Sequence, residues 1–285
     1  MSTLVLKNTL NSVLYYGWFK VGLTMQIATW NVNSIRTRLG HVQQWLQKNP
    51  VDVLCLQETK VIDEQFPHDS FPGYNCAIAG QKSYNGVAIL SKNVPTSISI
   101  GFTPVLGWEQ VGDLDEQKRL IHTQINGVEV INIYVPNGQS VGSEKYEYKM
   151  RWLNMLNQYL RHFSSLNLPV CICGDWNIAP EDMDIYDPEN KAEHIMASAP
   201  ERQAFKRFLD LNFQDSFRLF SQEAGQFTWW DYRAGSFRRN HGWRIDHILL
   251  SSSLCSRAKN CWIDREPRSW EQPSDHTPLV LELEC

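Results

Sequence analysis

What constrains this chain most is a recurring local pattern: a short apolar run that stops abruptly at an acid or an amide, often followed by an amphipathic stretch. Residues 27–30 read as a strand ending at Asn31. Ile35, Leu39, Val42 and Leu46, spaced four, three and four apart, then lay one apolar stripe along a helix, and residues 53–56 return to a strand. Further strands read at residues 86–90, 120–124, 128–135, 170–173, 245–250 and 279–283, with helices at 144–163 and 201–209. Hairpin-like strand pairs mixed with helices predict an α/β sandwich rather than a purely parallel, doubly wound sheet. No Ser/Gly-rich linker, low-complexity tract or repeat period interrupts the pattern, so residues 25–285 are expected to form one domain. Residues 1–24 differ. Their apolar run is broken by Asn11, Tyr15, Gly17 and Lys20 and has neither the length of a membrane span nor a signal-peptide core, so they read as a loosely held N-terminal extension ahead of Met25.

The 42% hydrophobic and 20% charged fractions exclude a disordered chain. A net charge of -4 argues against a simple basic nucleic-acid binder. It does not argue against an enzyme that gathers carboxylates in its site while cations line the surrounding surface. Arg233, Arg238, Arg239 and Arg244 lie in one stretch without an acid between Arg233 and Arg244. The seven cysteines have no regular spacing, and Cys55, Cys171 and Cys173 sit in apolar runs. Cys171 and Cys173 share a strand face, yet no second Cys or His pair lies nearby to complete a zinc site. These are expected to be buried structural thiols of a reduced, cytoplasmic, bacterial-type protein.

The polar residues at the strand ends are the candidates for chemistry: Asn31 and Asn33, Gln57 and Glu58, Asp175 and Asn177, Asp246, and the pair Asp275 and His276. Singly, each is explained as a turn former or helix cap. Together they suit phosphodiester hydrolysis. A hard cation such as Mg²⁺ takes oxygen ligands, which Glu58 and its amide or carboxylate neighbours supply. Asp175 is placed to deprotonate a water, with Asn177 holding the water or the phosphate. His276 can donate a hydrogen bond to the developing pentacovalent phosphate if a buried carboxylate fixes its tautomer, and Asp246 is the chosen partner.

The ordered series Trp30-Asn31-Val32-Asn33-Ser34-Ile35-Arg36, Leu56-Gln57-Glu58-Thr59-Lys60, Gly174-Asp175-Trp176-Asn177-Ile178-Ala179-Pro180, Arg244-Ile245-Asp246 and Ser274-Asp275-His276 resembles the motifs of exonuclease III-type abasic-site endonucleases. The resemblance runs from about Met25 to the C-terminus. Gly-Asp-x-Asn and Ser-Asp-His belong to the wider endonuclease/exonuclease/phosphatase superfamily. Gln57-Glu58-Thr59-Lys60 and Phe227-Thr228-Trp229-Trp230-Asp231-Tyr232-Arg233 are more discriminating and point to the DNA-repair branch.

The resemblance implies a four-layered α/β sandwich, two mixed sheets face to face with helices outside. It implies Glu58, Asn31 and Asp275 as metal-side residues, with Mg²⁺ or Mn²⁺ as cofactor. Asp175, Asn177, His276, Asp246 and Tyr134 would be catalytic, and Asn33, Asn137, Trp229, Trp243 and Arg244 would contact substrate. Trp229 and Trp243 match positions that wall a pocket for a flipped-out abasic sugar, which an apolar pocket suits. The implied partner is double-stranded DNA carrying abasic sites or 3′ ends, bound by a monomer and away from membranes. The chain departs from the family in the large Trp176 inside Gly-Asp-x-Asn and in lacking a wedging arginine at residues 138–142. Two other readings are weighed. A superfamily phosphatase or phospholipase acting on a phosphorylated lipid or inositol would need lipid-facing loops, and none is seen. A non-catalytic nucleic-acid-binding protein would have lost ligands, and every matched position is filled.

Overall fold

The computed structural model describes residues 24–191 and 193–285. The expectation for residues 1–24 therefore lies outside the described residues, except that Thr24 already belongs to the first strand. Twelve strands follow in order: β1 (Thr24–Asn31), β2 (Val53–Gln57), β3 (Asn75–Ala79), β4 (Val87–Ser91), β5 (Ile98–Ile100), β6 (Leu120–Ile125), β7 (Val128–Tyr134), β8 (Val170–Asp175), β9 (Phe213–Asp215), β10 (Asp246–Ser251), β11 (Ala258–Ile263) and β12 (Leu279–Glu284). They form two six-stranded sheets, β11-β12-β1-β2-β4-β3 and β5-β6-β7-β8-β10-β9. Each has one parallel pair at its centre, β1 with β2 and β7 with β8, and antiparallel neighbours on both sides.

The strands are apolar on both faces because both faces are covered. Met25, Ile27, Val53, Cys55 and Ile89 of the first sheet meet Val130, Cys171, Cys173, Ile248 and Leu250 of the second between the layers. The alternate positions Ala28, Trp30, Leu54 and Leu56 face the helix Ile35–Lys48 through Val42 and Trp45. On the far side, Ile131, Ile133, Ile172 and Leu249 pack under the helices Glu144–Ser165 and Ala199–Leu209. The result is the four-layered α/β sandwich expected from the sequence.

Local chemistry sets the helix starts. Ser143 accepts from the Tyr146 amide at 3.2 Å, and Ser198 with Glu201 forms a reciprocal capping box ahead of Ala199–Leu209. Trp176 is buried among Phe205, Phe208 and His247, so its departure from the family pattern fills the core rather than the site. Cys55, Cys171 and Cys173 are buried, and all seven cysteines are free.

Register brings the strand-end polar residues to one rim. Asn31 pairs with Gln57 across the parallel centre of the first sheet. Tyr134 pairs with Asp175 and Asp175 with Asp246 in the second. Gly174 is required just there, because a Cβ on it would lie 1.9 Å from the Ile133 carbonyl oxygen.

Candidate active site

Asn31 is the hinge between the two sheets at this rim. Its amide donates to Glu58 Oε1 at 2.9 Å and to Asp175 Oδ2 at 2.8 Å, while its own oxygen accepts the Asn33 amide at 2.9 Å. Ser274 donates to the Asn31 carbonyl at 2.7 Å, and the Trp30 indole donates to the His276 carbonyl at 3.2 Å, tying the Ser-Asp-His segment to β1. Asn33, Glu58 and Asn177 all take left-handed backbone conformations, with φ of 45°, 51° and 49°. Such strain gathers where a rigid surround holds a functional group in place.

Electrostatics divide the carboxylates. Burial pushes Glu58 up, but the Lys60 ammonium at 2.8 Å and the bond from Asn31 outweigh it, so Glu58 stays below its ordinary range. Asp275 is likewise held low against its burial, by the His276 charge and by bonds from the Trp229 indole at 2.9 Å and Asn33 at 3.1 Å. Asp175 goes the other way. Its burial, together with the neighbouring Asp246 and Glu58 charges, raises it to about 7 despite His276 and Asn31. His276 is buried, which disfavours its charge, but Asp246 and Asp175 carry it up to about 10. Its Nδ1 meets Asp246 Oδ2 at 2.9 Å and its Nε2 lies 3.7 Å from Asp175 Oδ2.

One ligand atom each of Asp175, Asp246 and His276 fall within 4.8 Å of one another. An imidazolium has no lone pair to offer, so this trio is better suited to moving protons than to holding a cation. The metal-side set passes the test of fit on charge and donor type. Among the described residues, the cations within 4 Å of Glu58, Asp175, Asp246 and Asp275 are Lys60 and His276, and Asp246 Oδ1 is buried without a partner. A divalent cation with oxygen ligands relieves that excess, and Glu58, Asn31 and Asp275 are its oxygen-bearing candidates.

Beside this centre, Asn137 donates to Asn177 Oδ1 at 2.9 Å and Asn177 to the Val135 carbonyl at 3.0 Å. The Tyr134 ring lies under the Arg119 guanidinium at 4.6 Å, and its hydroxyl is raised by burial and by Glu58. Trp229 and Trp243 exchange backbone hydrogen bonds of 2.9 Å and, with Ile195 and Met196, line a cleft of about 400 Å³. Tyr186, stacked on His241 at 4.6 Å, lines the same cleft.

One expectation is corrected. Arg244 does not face substrate: it is buried, and its guanidinium bonds Asp184 at 2.7 Å, Asp215 at 2.6 Å and His247 at 2.9 Å. With every nitrogen committed inside the protein, it holds the base of β9 and β10 together. Sequence reasoning also gave no role to Lys60, Tyr232 or Lys149. Tyr232 approaches Asp275 and Asn33 at 3.4 Å, and Lys60 bridges Glu58 to Asn33. Lys149 could have been found: it falls on the apolar stripe of its helix with Tyr146, Trp152, Leu153 and Leu156, where a charge needs a reason.

A family model described as the endonuclease/exonuclease/phosphatase family matches residues 28–276. The chain belongs to that family. Among this family's members it is 36% identical over 273 residues to exodeoxyribonuclease III of Haemophilus influenzae, covering 91% of this chain and 100% of the relative. A 3′ phosphatase from Neisseria solved with a product DNA hairpin superposes with a TM-score of 0.85 at 41% identity, over 92% of this chain and 100% of that one. An AP endonuclease from Archaeoglobus fulgidus gives a TM-score of 0.85 at 40% identity, with the same coverage. This endonuclease/exonuclease/phosphatase protein is thus a DNA-repair nuclease of the exonuclease III type. Among its described residues no helix is long and apolar enough to cross a membrane.

Proposed function

We propose that the protein hydrolyses the P–O3′ bond of duplex DNA, both 5′ to an abasic site and at 3′ ends, with Mg²⁺ as its cofactor. The observation that carries this reading is the pair of contrasted groups at one rim, Asp175 raised toward neutrality and His276 kept protonated by Asp246. Incision beside an abasic site, removal of a 3′ nucleotide and removal of a 3′ phosphate all break that same bond, so one constellation serves all three.

Glu58, Asn31 and Asp275 are the residues that would hold a divalent cation, which when bound would offset the charge that develops as the 3′ oxygen departs. Asp175 takes a proton from water, whose oxygen forms the new bond to phosphorus. His276 Nε2 donates a hydrogen bond to a phosphate oxygen, with Asp246 fixing the ring. Asn177 and Asn137 hold the phosphate, and Tyr134 and Asn33 border it. Trp229 and Trp243 offer an apolar wall to a sugar without its base. We read residues 25–285 as one monomeric domain, and the free thiols as those of a reducing cytoplasm.

The test is a matched assay on duplexes carrying one tetrahydrofuran abasic analogue, a nick or no lesion, with Mg²⁺ or EDTA and inositol phosphate as a control. Incision and 3′ trimming are expected with Mg²⁺ alone, and turnover should fall ~10²–10⁴-fold in Asp175→Asn. Phosphate release from the inositol substrate without DNA cleavage would favour the phosphatase reading instead.

A further inference from the structure

Beneath the two asparagines lies a buried charge that the reaction above does not use. Lys149 and Glu201 form an ion pair, and both side chains are fully buried. The Lys149 ammonium also donates to the Asn177 carbonyl at 2.8 Å and the Asn137 carbonyl at 3.2 Å, so its three hydrogens are all committed. Glu201 spreads in the opposite direction, accepting from the Met196 amide at 3.1 Å, the Ser198 amide at 3.1 Å and the Ser198 hydroxyl at 2.6 Å. Gly138 presses on the lysine stem, since a Cβ there would meet Lys149 Cδ at 3.1 Å.

An apolar pair of similar volume is often as stable as a buried ion pair, so stability alone does not account for this one. An apolar pair could not, however, donate to two carbonyls of the site. Asn177 is held at φ 49° with its amide nitrogen on Asp175 Oδ1 at 2.9 Å and its side chain between Asn137 and Val135. Lys149 supplies the remaining tie, and Glu201 links it to Met196 in the wall of the Trp229 cleft.

We propose that the Lys149–Glu201 pair is a positioning device that fixes the Asn137 and Asn177 loops for the transition state, acting on turnover rather than on DNA affinity. The proposal rests on the reading that these asparagines hold the phosphate. A displaced asparagine would still permit binding through the other phosphate contacts, while the reacting geometry degrades.

The test uses the full chain and an abasic duplex, with the double substitutions K149M/E201Q and K149Q/E201Q. Glutamine in place of Glu201 keeps the helix cap, and glutamine in place of Lys149 restores a neutral donor. The first variant is expected to lose about 10-fold or more in kcat with KM within about 2-fold, and the second to recover part of the loss. A cooperatively melting K149M/E201Q with kcat within about 2-fold of wild type would overturn the proposal. A readout independent of variant folding is the ¹⁵N resonance of the Lys149 ammonium in the wild-type protein, titrated with nicked product duplex. It should shift together with the Asn137 and Asn177 side-chain amides, and a Lys149 signal that stays still while theirs move would overturn the proposal. Absence of wild-type cleavage would instead defeat the functional reading itself.

Discussion

Asp175 stands where burial and charge pull against each other, and this conflict sets the pH response. Its carboxyl is raised to about 7 by burial, with Asp246 and Glu58 adding to the rise and the His276 cation opposing it. A base works only after losing its proton, so kcat/KM should climb about tenfold per pH unit below the midpoint and level off above it. A bound divalent cation would add to the downward pull, so the midpoint should be lower with Mg²⁺ than without it. Replacing His276 by Gln removes one downward pull, so the midpoint of the residual activity must move up. A pH–rate profile of His276→Gln with an unchanged or lower midpoint would contradict this assignment. The same profile separates Asp175 from Glu58 and Asp275, both held below the ordinary carboxylate range and already ionised across it.

Among the elements, the clearest dependence is that of β9 and β10 on Arg244. Asp184 and Asp215 are held below the ordinary range against their burial, chiefly by the Arg244 charge. Because their folded values are depressed, the stability they contribute is present above the unfolded value near ~4 and is lost as pH falls through the folded values. Arg244→Met removes the buried cation that Asp184 and Asp215 share, leaving Asp184 with Arg218 and Asp215 with His247, and should cost about 3–5 kcal/mol in urea unfolding. It should leave the salt dependence of DNA binding unchanged, since the guanidinium never reaches the surface. A shallower salt dependence in the variant would restore Arg244 as a phosphate contact.

What the sequence revealed of these elements, and what it hid, has a physical pattern. The strands read from apolar runs are the inner ones, β1, β2, β4, β6, β7, β8, β10 and β12. The four unread strands, β3, β5, β9 and β11, are the four sheet edges. β5 and β9 are only three residues long and β11 is broken by Lys259 and Asn260, whereas β3 does carry an apolar run, Cys76–Ala79, made inconspicuous by its small residues. The candidate site was legible for the related reason that a polar residue stands out at the end of an apolar run. Arg244 was misread because a buried guanidinium and a DNA-facing one look alike until their partners are known. Lys149 is marked by its place on the apolar stripe of its helix, but its role stays hidden because the Asn137 and Asn177 carbonyls it bonds are backbone atoms that no side-chain pattern marks.

For the whole molecule, a net charge of -4 must be reconciled with a polyanionic partner. The buried pairs consume acid and base alike, Asp184 and Asp215 with Arg218 and Arg244 and Glu201 with Lys149, so they leave the total unchanged and the attraction must come from exposed cations such as Arg233, Arg238 and Arg239. DNA affinity should therefore fall steeply with salt despite the acidic total, with a log–log slope near about -0.9 for each phosphate neutralised. An affinity that does not change between about 50 and 200 mM salt would exclude phosphate contacts as the source of binding.

The division of the site between the two sheets carries one more consequence. Asn31 and Glu58 come from one sheet, Asp175, Tyr134 and Asp246 from the other, and neither sheet alone presents base, acid and cation ligands together. A half-made or partly unfolded copy therefore cannot nick a chromosome. The scissors are assembled only when the two blades have closed on each other, so completion of the fold is itself the safety catch.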